Sequence, residues 1–87
     1  MKIKNGFILR KVGIQHIVAA TGEVSKEFNG MMRLNESGAF AFRTLQAGAT
    51  MEELVAAITA EYDVSEAQAR QDAEGFVAAL REAGALE

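Results

Sequence analysis

The sequence predicts an α+β domain of the winged helix-turn-helix kind, with a three-stranded antiparallel sheet at the N-terminus followed by three helices. Three observations carry this. Short runs rich in β-branched residues crowd into the first 34 positions, and stretches with a helical apolar period fill positions 35–84. The last two of those stretches are separated by only a tight turn. At 87 residues the whole chain, 1–87, is expected to form one domain, with strands over about 6–34 and helices over about 35–84. A chain this short buries only about 60–65% of its unfolded surface, so its stability is modest.

Phe7–Val12 and Gln15–Ala19 are the first two strands, and Gly13 between them makes a hairpin. A polar stretch follows from Thr21 through Lys26 to Asn29-Gly30, a strong turn signal because both residues accept positive φ. Met31–Leu34 is the third strand. Asn35 or Ser37 caps a helix that runs to about Gln46, with Ala41, Phe42 and Leu45 inward and Gly48 as its stop. Thr50-Met-Glu-Glu53 is a capping box that opens a second helix, whose stripe is Met51, Leu54, Val55, Ile58 and Tyr62. Ser65-Glu-Ala-Gln68 repeats the signature before the last helix, with Val64 and Ala69 placed as a hydrophobic staple. Ala69, Ala73, Phe76, Val77 and Leu80 form its stripe, and Gly84 ends it.

Composition narrows function mainly by exclusion. There is no cysteine, which removes disulfides, thiolate metal sites and thiol nucleophiles. The single histidine, His16, is expected to be a partly exposed strand residue, and no metal site or cofactor is predicted. Glu52, Glu53, Glu61 and Asp63 fall on the outer face of a short helix, where nothing shifts a carboxylate toward acid–base work. No glycine cluster makes a phosphate loop. The chain therefore reads as a binding protein with no catalytic residues, not as an enzyme. No apolar run approaches the roughly 18 residues of a membrane span, and the N-terminus lacks the apolar core of a signal peptide. No membrane contact and a cytoplasmic location are the corresponding expectations.

Charge divides along the chain. Residues 1–49 carry seven Lys/Arg against three Glu, and residues 50–87 carry two Arg against nine acids. A winged-helix transcription regulator is the alternative function, and a domain used only for protein assembly is a third. The last helix opposes DNA, because Arg70 and Arg81 face Glu66, Asp72, Glu74 and Glu82, and a recognition helix must neutralise phosphates. No nucleic-acid partner is predicted.

The words Leu34-Asn-Glu-Ser-Gly-Ala39, Gly48-Ala-Thr50, Glu53-Leu-Val55 and Glu61-Tyr-Asp-Val-Ser65 resemble the PqqD family. Asp72, Phe76, Leu80 and Gly84-Ala-Leu86 extend the likeness over nearly the whole chain. Members are small peptide chaperones, the recognition elements for precursors of ribosomally made, modified peptides. The resemblance implies the same winged fold, and a leader peptide that adds as a strand beside the third strand in a groove walled by the last helix. Carried onto this chain, the peptide-binding residues would be Met31, Met32, Arg33 and Leu34 on one side and Asp72, Gly75, Phe76 and Ala79 on the other. The implied partners are a precursor (leader) peptide and a separate modifying enzyme of the radical S-adenosylmethionine (radical SAM) type. In the name-giving pathway that enzyme starts pyrroloquinoline quinone synthesis. The chain itself would be a monomer or a weak homodimer.

The residues taken by themselves agree with that groove. An exposed edge strand offers free backbone N–H and C=O groups to an incoming strand. Met31 and Met32 are adaptable side chains, but strand alternation sends one of them into the core. Gly75 inside the last helix costs about 1 kcal/mol relative to Ala, which either a close peptide backbone or drift on an exposed face explains. Phe40 lies off the inward stripe and is expected to tuck under the hairpin, its other reading being an exposed contact aromatic.

Overall fold

The computed structural model describes residues 1–22 and 31–87, so the predicted Asn29-Gly30 turn lies outside the described residues. Three strands, β1 (Phe7–Val12), β2 (Gln15–Ala20) and β3 (Met31–Leu34), form an antiparallel sheet in the order β1-β2-β3. Val12 pairs with Gln15 across the two-residue loop Gly13-Ile14. Gly13 has φ +63° and among the described residues no non-glycine residue has positive φ, which fits the type II′ turn, whose first central position demands glycine. Three helices follow, α1 (Glu36–Ala47), α2 (Met51–Glu61) and α3 (Glu66–Glu82).

Each helix starts where a side-chain oxygen takes up an orphan amide. Of the two candidates for α1, Asn35 is the cap, its Oδ1 accepting from Gly38 N at 2.8 Å. At α2 the capping box closes on both sides: Thr50 Oγ1 accepts from Glu53 N, and Glu53 Oε1 accepts from Thr50 N at 2.9 Å. At α3 only half of the expected box forms. Ser65 Oγ accepts from Gln68 N, but the Gln68 side chain turns along the helix and donates to Asp72 Oδ1 at 2.9 Å.

The helices cover one face of the sheet, and the core lies between. Phe42, Leu45, Leu54, Leu80 and Val18 are its largest fully buried side chains. All belong to predicted inward stripes except Val18, on the helix-facing side of β2. Arg70 of α3 crosses to α2, donating to Glu52 Oε2 at 2.8 Å, with Glu66 at 3.6 Å. That hydrogen bond, more than the charge behind it, holds the Glu52 carboxyl below the usual carboxylate range.

Two expectations change. His16 is buried, not partly exposed, because β2 is the central strand and its ring turns toward α1, where Glu36 meets it. Phe40 is half-buried against the core, and its ring partner lies outside the hairpin. It packs edge-on against Tyr62 at the end of α2, ring centroids 5.6 Å apart and planes at 89°.

The first six residues contribute a feature the periodicity does not announce. Ile3 bridges Leu86 in antiparallel fashion, Lys4 N donates to Ala85 O, and Glu87 N donates to Lys2 O. Ile3 N also reaches Leu45 O at the end of α1. The segment clasps the tail after α3 onto the body, burying Ile3, Ala85 and Leu86. No helix among the described residues is long and apolar enough to cross a membrane.

Candidate functional site

Among the described residues β3 ends the sheet, so one of its sides has no strand partner there in the order β1-β2-β3. In an antiparallel ladder every second residue aims its N–H and C=O away from the neighbouring strand. Two of the four β3 residues therefore present backbone groups to an incoming chain. Burial along the strand alternates: Met31 and Arg33 are exposed, whereas Met32 and Leu34 are half-buried and pack on the core. Met32 is thus the methionine that alternation sends inward.

Beyond the end of β3 an open groove of about 500 Å³ runs between the start of α1 and the middle of α3. Its floor is apolar, built from Ala41 of α1, Ile58 of α2, and Ala73 and Phe76 of α3. Asn35, Ser37, Gln71 and Asp72 form a polar rim. The rim is held in place by local bonds: Ser37 Oγ donates to Asn35 Oδ1 at 3.1 Å, and Gln68 fixes Asp72. A second open compartment of about 520 Å³ shares Asn35, Ser37, Ile58 and Asp72 with the first and continues past Tyr62 and Val64. The depression therefore bends around the N-terminus of α1.

Two glycines matter here for space, not conformation. A Cβ on Gly38 would stand 3.1 Å from Asn35 Oδ1 and 3.3 Å from Leu34 Cβ, so the lack of a side chain lets α1 start hard against the end of β3. A Cβ on Gly75 would meet nothing within 4 Å and would point into the groove's open space. Close packing within the chain therefore does not account for Gly75.

Of the residues expected to form the site, Asp72, Gly75 and Phe76 line this groove together. Ala79 is exposed one turn further along the same side of α3 and does not line it. Met31–Leu34 form the neighbouring edge, with Leu34 beside Gly38 but not in the groove's lining. Asn35, Ser37, Gly38, Ala41 and Ile58 were not among the expected site residues. The signal for the first three was a helix cap followed by glycine in the first turn, a place where a helix former is otherwise favoured. Among the described residues no group of three or more His, Asp or Glu is arranged to hold a metal ion.

A solved chain described as TbiB1 in complex with the TbiA(beta) leader peptide is 25% identical, with a TM-score of 0.79 over 100% of this chain and 95% of that one. A lasso peptide synthetase B1 complexed with the leader peptide is 19% identical, with a TM-score of 0.74 over 97% of this chain and 93% of that one, a likeness of fold. A search of the curated proteins found no match. Residues 15–86, from the start of β2 through the C-terminal clasp, match the family model described as coenzyme PQQ synthesis protein D, and the chain belongs to the PqqD family.

Proposed function

We propose that this protein holds the leader region of a ribosomally made precursor peptide and presents it to a separate modifying enzyme of the radical SAM type, without itself transforming the peptide. The observation that carries it is the free edge of β3 leading directly into an apolar-floored, polar-rimmed groove beside α3. The leader adds as a fourth strand along Met31, Met32, Arg33 and Leu34, and main-chain hydrogen bonds set its register. Alternate side chains enter the groove over Phe76 and Gly75, with Asp72 at the rim and Ala79 extending the wall. The family match and the leader-peptide complexes of similar fold support this reading.

Titration of the labelled protein with a synthetic leader of its cognate precursor tests the site. Amide shifts are expected on 31–38 and 71–76. Shifts confined to the hairpin tip around Gly13, or to the outer face of α2, would overturn the site assignment. A change in the peptide's mass with this protein alone would overturn the non-catalytic role.

A further inference from the structure

Residues paired across an antiparallel sheet share a face, so the register sorts the side chains of the sheet into two sets. Phe7, His16, Val18, Met32 and Leu34 look toward the helices. The opposite face carries one apolar row, Ile8–Ala19–Met31, and beside it the row Arg10–Ile17–Arg33. None of these apolar residues belongs to the core or packs against it. Ile8 is 39% exposed and Met31 71%, and Val12, one row further along β1, is 58% exposed.

A sheet with one covered face normally presents polar residues on the other. Here one row, Ile8–Ala19–Met31, runs apolar across all three strands with Ile17 and Val12 on the same face, the composition of a surface that is covered at some stage of the protein's work. Among the described residues the charges on this face are two guanidinium groups flanking Ile17, and neither Arg10 nor Arg33 has a carboxylate partner there. A second copy stacked face to face would bring the same apolar rows together but set arginines near arginines, which opposes self-association. A surface that covers the rows and places carboxylates opposite the arginines meets both requirements.

We infer that this outer face of the sheet is the docking surface for the modifying enzyme, which meets it with an apolar patch rimmed by Asp or Glu. The inference rests on the function proposed above and adds a geometric consequence. A leader added beside β3 sends every second side chain to this same face, next to Met31 and Arg33. The enzyme then touches carrier and peptide across one continuous surface, and it recognises the loaded form through the extra row.

The test uses the cognate peptide-modifying enzyme and a variant carrying Ile8→Ser and Arg10→Glu. Both positions are on β1, two strands away from the peptide edge. Leader affinity is measured by fluorescence anisotropy, and enzyme affinity by interferometry with and without leader. The enzyme is expected to bind wild-type protein in a salt-sensitive manner, and more tightly with leader present. The variant should lose about tenfold or more in enzyme affinity while keeping its leader affinity and melting temperature. Undiminished enzyme binding by the variant, or none by the wild type, would overturn the inference. So would a wild-type dimer in sedimentation that the variant converts to monomer. If the enzyme docks through this face but the leader does not bind, the docking inference stands and the leader-binding reading fails.

Discussion

The Nε2 of His16 lies 3.0 Å from Oε1 of Glu36, joining the central strand to the first turn of α1. The hydrogen bond to the ring, and then the ring's positive charge when protonated, hold the Glu36 carboxyl below its ordinary value of 4.5, with Lys11 and Arg43 adding to the effect. A carboxyl depressed on folding contributes stability above its unfolded pKa and loses it as pH falls through the folded one. Glu36→Gln is therefore expected to lower stability at neutral pH, with the gap to wild type closing as pH drops below 4.5. Urea unfolding of both proteins along a pH series measures it, and a gap that widens in acid would contradict the assignment.

Gly75 separates binding from folding. Its backbone is helical and a Cβ there meets nothing, so Gly75→Ala should raise stability by about 0.5–1 kcal/mol. Gly75→Leu should leave the fold intact but fill the groove and weaken leader binding by about tenfold or more. Thermal melts and peptide titrations on the two variants check both halves.

The clasp is expected to matter to the whole fold. Ile3→Ala removes a side chain that is 4% exposed at the junction of α1 and the C-terminal tail, and should cost about 2–4 kcal/mol. For a domain this small that is a large fraction of total stability, readable as a lower urea midpoint.

Duplex DNA should not bind at physiological salt. The two arginines of α3 do not stand free: Arg70 is engaged by Glu52 and Glu66, and Arg81 rests against the sulfur of Met1 at 3.7 Å. With no free cation on the helix that would enter the groove, α3 cannot neutralise phosphates there. A micromolar, salt-sensitive mobility shift would revive the transcription-regulator alternative.

What the sequence makes legible is what short-range chemistry decides. Thr50 and Ser65 mark their helices to the residue because a cap acts on amides two or three positions away. Gly13 makes β1 and β2 neighbours, but the place of β3 beside β2 and not beside β1 depends on how the sheet packs, and only the structure shows it. His16 is misjudged because its partner lies 20 residues on, and Phe40 because Tyr62 comes from another helix. Gln68 has two acceptable partners within reach, the cap and Asp72, and sequence spacing cannot rank them. In the site, Asp72, Gly75 and Phe76 are readable as one face of one helix. The opposite wall, from Asn35 to Ile58, is assembled from α1 and α2, and its membership depends on how three helices pack.

The bridge between Ile3 and Leu86 sets Lys2 and Glu87 side by side, with Glu87 N on Lys2 O at 2.9 Å. A few glycines would close the chain into a ring at that point without stretching any element. New ends could then be cut in the Gly13-Ile14 loop, where Ile14 is 93% exposed and the hairpin pairing would survive as contact between termini. Closing that junction without the new cut would make the clasp covalent, and the difference between ring and permutant would then isolate the entropy of closing the hairpin.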